Sequence, residues 1–135
     1  MPESGREARA RLPAAGAEAR RARLRAICTS LPEVAVEGDV HLAYRVRRRS
    51  FIYDMWDHHG DGRHALCAKV PAGDQEALIE MDPDRFFRPA YLGASGWVGL
   101  RLDLAQVDWE EAERLVRCSY GLVAPRRLAA GAGIR

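Results

Sequence analysis

Leu24, Ile27 and Leu31 recur at steps of three and four with Cys28 beside them, so Ala17 to Leu31 carries one apolar stripe on an arginine-coated surface. That spacing predicts a helix, ended at Pro32 because the residue before a proline is pushed out of helical geometry. Ahead of it, residues 1–16 mix Arg, Ala, Pro, Gly and Glu without a stripe, and a flexible tail is expected there. The period then changes to two. Leu42, Tyr44 and Val46 alternate with His41, Ala43, Arg45 and Arg47, and a second β-rich run starts at Phe51, with Arg48 to Ser50 as the turn. The Asp-Gly pair inside DHHGDGRH marks a hairpin leading into a third strand, ALCAKV.

Gly73 to Met81 reads as a short helix stopped where Asp82 precedes Pro83, and RFFRPAYL and WVGLRLDL read as two further strands. Asp108 with Glu111 three residues later has the form of a capping box. Trp109, Ala112, Leu115, Val116, Ser119, Leu122 and Val123 give the helix that follows an apolar face, and Pro125 closes it. The order predicts an α+β fold: a two-layer α-β3-α-β2-α arrangement, its antiparallel sheet covered by helices on one face. Residues 17–128 make the domain, and 129–135 a second flexible tail. A chain of 135 residues buries roughly two thirds of its unfolded surface around one core, so no second domain is needed.

The stretch RPAYLGASGWVGLRLD spaces three glycines around a tryptophan, which raises the question of a phosphate loop. Such a loop needs a helix after the glycines, so that backbone N–H groups and the helix dipole converge on the anion. A strand follows here. Gly93 and Gly96 are therefore expected to supply positive φ in a hairpin, and Gly99 a bulge or close packing under Trp97.

Composition narrows the classes of function. Hydrophobic residues make up 47% and charged residues 30%, as in a globular protein, and Arg supplies all but one of the 21 basic side chains, Lys69 being the exception. A net charge of +2 implies no nucleic-acid partner by itself, so local distribution matters more. Cys28, Cys67 and Cys118 lie far apart with no C-x-x-C pair, which argues against a disulfide framework or zinc ribbon and fits a reducing cytoplasm. No apolar run approaches the ~20 residues of a membrane span, and no signal-peptide core is seen.

Asp54, Asp57, His58, His59, Asp61 and His64 are metal-ligand types, but a polar hairpin tip explains them and no metal or other cofactor is assigned. Cys118 lacks a His partner in the pattern, and Glu110, Glu111 and Glu113 are accounted for by the helix macrodipole, so no catalytic residue is assigned.

LPEV after the first helix, Lys69 ending the third strand, DP-RFF-PAYLG--GWV, and SYGLVAP in the last helix together resemble the MmcQ/YjbR family of small bacterial proteins. The resemblance covers about residues 20–128. It implies a fold related to the CyaY-like and type III secretion-chaperone-like folds, and a description as DNA-binding without a defined reaction. This chain departs from the family in carrying RRRSFIYDMW where a Gly-Lys turn and a small residue after the Phe are common, and in its Arg-rich N-terminal extension. CyaY itself binds iron through acidic residues on its first helix. Arg20, Arg21, Arg23 and Arg25 on the matching helix repel ferrous iron, so that function is not expected to carry over.

Strict alternation offers a place for the implied binding. If Leu42, Tyr44 and Val46, Leu66, Ala68 and Val70, and Val98, Leu100 and Leu102 face the helices, then Arg45, Arg47, Cys67, Lys69, Trp97 and Arg101 face away. Phe51, Tyr53 and Met55 facing inward would add Trp56 to that outer surface. The expected nucleic-acid site is thus Arg45, Arg47, Lys69, Trp97 and Arg101, assisted by Arg20 and Arg21. DNA is the first expected partner; the other readings are a protein- or peptide-binding adaptor and a small enzyme with an unrecognised pocket.

Overall fold

The computed structural model describes residues 15–134, so most of the expected N-terminal tail, residues 1–14, and Arg135 lie outside the described residues. Helix α1 (Ala15–Thr29) buries Leu24 and Cys28 and half-buries Ile27, the predicted stripe, and Leu31 closes the core just beyond it. Six strands follow: β1 (Val34–Gly38), β2 (Leu42–Val46), β3 (Arg49–Trp56), β4 (His64–Lys69), β5 (Phe86–Phe87) and β6 (Trp97–Arg101). They form one sheet in the order β1-β2-β3-β4-β6-β5 with every neighbouring pair antiparallel. Helix α2 (Asp74–Met81) separates β4 from β5, and α3 (Trp109–Val123) and α4 (Arg126–Gly131) end the chain. The α+β class and the antiparallel sheet are as expected, with one strand more: β1 is only five residues long and sits on the sheet edge, where its apolar positions are half-buried. Helix α4 buries Ala129 and carries order past the boundary expected at residue 128.

The last helix begins as its capping signal requires, Asp108 Oδ1 accepting from Glu110 N at 3.1 Å and Glu111 N at 3.2 Å. It buries Ala112, Leu115, Val116, Ser119, Tyr120 and Val123. Leu122 corrects the expected face, being 43% exposed, because the helical period sends it off the 112-116-119-123 row and Tyr120 takes the inward place. The Tyr120 hydroxyl donates to Pro32 O at 2.8 Å and its ring meets Phe51 edge-on, centroids 5.4 Å apart. Ser119 Oγ accepts from Lys69 N at 3.0 Å and donates to Phe51 O, which fastens α3 to β3 and β4.

A bulge decides which way β3 faces. Tyr44 pairs with Ile52 but Arg45 pairs with Ser50, so Phe51 is the extra residue, and Phe51 and Ile52 are both buried. Beyond it Ile52 and Asp54 stand opposite inward-facing Ala68 and Leu66, while Tyr53 and Met55 turn outward. The expectation that Tyr53 and Met55 face inward and Trp56 outward is therefore reversed. The β2–β3 turn is also one residue earlier than expected, at Arg47 and Arg48, whose φ values of 50° and 67° suit a tight two-residue hairpin. Gly99 has a packing reason as expected, but the ring over it is Phe87: a Cβ there would lie 2.5 Å from Phe87 Cζ. Gly96 has the expected positive φ, 86°, whereas Gly93 does not and instead admits the Arg88 side chain. Among the described residues no helix is long and apolar enough to cross a membrane.

Candidate nucleic-acid interface

The sheet face turned away from α1 and α3 is built from Ala65, Cys67 and Lys69 of β4, Trp97, Gly99 and Arg101 of β6, Tyr53 of β3 and Phe87 of β5. It is less open than strand alternation implies. Ala65, Cys67 and Gly99 are buried, and Trp97 is 8% exposed, packed against the Tyr53 ring at 5.3 Å. The Phe87 ring covers Gly99, and the Arg63 guanidinium covers Phe87 at 4.4 Å from its centroid. An exposed Trp97 ready to stack is thus corrected: the ring is buried, with Tyr53 from two strands away against it.

The expected basic residues are mostly engaged. Arg47 makes a two-pronged contact with Glu33, Nε to Oε1 at 2.7 Å and a terminal nitrogen to Oε2 at 3.1 Å. Those hydrogen bonds, before any other cause, hold the Glu33 carboxyl below and the Arg47 guanidinium above their ordinary ranges. Arg101 pairs in the same way with Asp103 at 3.0 Å and is likewise raised, first by that hydrogen bond. Arg45 lies 3.4 Å from Glu37. Arg20 donates to Leu102 O at 2.7 Å, to Leu104 O and to Ala105 O at 3.1 Å, tying α1 to the chain after β6. Arg21 is buried, with Nε 3.0 Å from Asp54 Oδ2 and a further bond to Val40 O. Arg20 and Arg21 are therefore fastened into the fold instead of standing free on a basic helix.

Lys69 remains. It stands opposite Trp97 with no carboxylate partner among the described residues. Among the other cations in this state, which strand alternation did not single out, are Arg63 on Phe87, Arg88 against the Gln75 amide oxygen at 3.4 Å, and Arg48, exposed at the hairpin turn. Arg63 continues the outward parity of Cys67 and Lys69, a signal the sequence did contain.

The Asp/His string divides between core and loop. Asp54 and His64 are fully buried, His64 Nε2 2.8 Å from Asp54 Oδ1, whereas His58 and His59 lie in a short 3-10 turn, His58–Gly60. Among the described residues no group of three or more His, Cys, Asp or Glu is arranged to hold a metal ion. Burial pushes the Cys67 thiol up to about 12, with the Asp61 and Asp54 charges adding to it. The half-buried Cys118 thiol is also raised, by burial first and then by Asp74, which disfavours the thiolate a nucleophile needs.

A family model described as YjbR matches residues 29–122. The chain is also similar in structure to a crystal structure of the Deinococcus radiodurans protein DR2400, a DUF419 domain, with a TM-score of 0.67 at 23% identity, covering 85% of this chain and 88% of that one. No curated protein matches the chain.

Proposed function

The chain belongs to the YjbR family, and from that membership we propose a non-enzymatic protein that binds nucleic acid weakly and with little sequence preference. One observation carries the reading: Lys69, Arg63, Arg88 and Arg48 are cations on the sheet side and hairpin turn with no carboxylate partner among the described residues. Phosphates exchange readily onto such groups, because no ion pair has to be broken first. Arg45, Arg47 and Arg101 contribute less, since each must leave Glu37, Glu33 or Asp103 to reach a phosphate. A non-enzymatic role is supported by the burial of the His64–Asp54 pair and by the raised cysteine thiols.

Fluorescence anisotropy with a labelled duplex across a salt series tests this. Neutralising about three or four phosphates gives a slope of log K against log salt near −3 to −4, and Arg48→Ala or Arg63→Ala each reduces it by about one. Arg20→Ala leaves the slope unchanged. No duplex binding at low salt would reject the reading in favour of a protein adaptor, which has its own support in exposed Leu122 and the cleft between α3 and α4 at Gly121, Ala130 and Ile134.

A further inference from the structure

Tyr91 stands at the centre of a γ-turn of the rare, strained hand, with φ 64° and ψ −52°, closed by Leu92 N donating to Ala90 O at 2.7 Å. The strain is not offset by burial of its own side chain, which is 79% exposed. An exposed aromatic held in an unfavourable backbone state is an outlier that points toward function.

Its ring has one aromatic neighbour, His59, at 4.8 Å and 54°. That contact joins the β3–β4 connection to the β5–β6 connection. The β3–β4 connection joins β4 beside Arg101, where Ala65 pairs, and the β5–β6 connection enters β6 at Trp97, opposite Lys69. The two connections thus leave from opposite ends of the β4–β6 ladder and meet through these rings. Behind His59 the series continues to His58 at 4.2 Å and from there to His41 at 5.8 Å, so Tyr91 is one end of a run of rings whose other end, His41, is also exposed. Arg88 and Arg63 flank the pair in sequence, and neither has a carboxylate partner among the described residues. The loop carboxylates are turned to backbone amides, Asp57 accepting from Gly62 N at 2.7 Å and Asp61 from Arg63 N at 2.8 Å.

We infer that Tyr91, backed by His59, is a stacking platform for an unpaired base of single-stranded nucleic acid; this rests on the nucleic-acid reading above. Stacking needs only a π face, which any base offers, and Arg63 and Arg88 supply charge for the phosphates on either side. A duplex keeps its bases stacked on each other and cannot use the platform.

The test is anisotropy at low salt with a labelled oligothymidine and a labelled duplex, on the full chain and three variants. Tyr91→Ala weakens single-strand binding about 5- to 150-fold and leaves duplex binding unchanged, while Tyr91→Phe keeps both. Tyr91→Gly loses single-strand affinity like the alanine variant yet melts no lower than the parent protein, because glycine occupies positive φ without strain. If the parent binds both probes and Tyr91→Ala binds oligothymidine equally well, or weakens both probes alike, the platform is rejected while the phosphate reading stands. Failure of the parent protein to bind either probe rejects both.

Discussion

Asp54 Oδ1 lies 2.8 Å from Nε2 of His64, and neither side chain has exposed surface. The other carboxylate oxygen lies 3.0 Å from Arg21 Nε, so one aspartate joins α1, β3 and β4 beneath the helix layer. Removing the carboxylate leaves the Arg21 charge buried without compensation. Asp54→Ala should therefore cost about 3–5 kcal/mol, read as a lower urea midpoint with unchanged slope. Replacing Arg21, Asp54 and His64 together by apolar residues of similar volume should recover most of that loss, because no stranded charge remains.

Leu115 and Leu122 lie on the same helix one wholly different in environment from the other. Leu115 is buried against the sheet, and Leu115→Ala should cost about 2–5 kcal/mol. Leu122→Ala should stay within about 0.5 kcal/mol of the parent protein. Thermal melts of the two variants check the helix orientation, and equal losses would contradict it.

Gly99 admits no Cβ while Phe87 keeps its position, since the ring atoms Cζ and Cε1 would lie 2.5 and 2.6 Å away. Gly99→Ala should cost about 1–3 kcal/mol by overpacking. In a Phe87→Ala background the same substitution should cost markedly less, a coupling that a double-mutant cycle measures directly.

His58 gives the acid side of the stability curve a testable feature. Burial first, then the neighbouring His59 and His41, hold its pKa below the ordinary 6.5, and Asp61 opposes them only in part. The unfolded chain then takes up the proton at a higher pH than the native protein does. Stability from this residue is complete above about pH 6.5 and declines as pH falls below that value toward the folded pKa. His58→Gln should flatten the decline between pH 7 and pH 5 in urea midpoints, and an unchanged profile would show that the ring cluster does not resist protonation.

Much of the architecture was legible because it rests on local periodicity. The stripe of Leu24, Ile27 and Cys28, the alternation in Leu42–Val46, and the Asp108 cap each report a face or an end without knowledge of a partner. What the residues could not show was anything set by a partner remote in the chain. The bulge at Phe51 exists only in the pairing of β2 with β3, and that one extra residue turned Tyr53 outward and Asp54 inward. The arginine-rich first helix looked like a basic surface until Leu102, Leu104, Ala105 and Asp54 came within reach of Arg20 and Arg21. Arg47 likewise read as free until the turn into β1 brought Glu33 beside it. Sequence determined which positions are apolar and where elements begin, because those signals lie within one or two turns of chain. Tertiary structure decided which charges remain free and which aromatics remain exposed, because long side chains choose partners by distance in space.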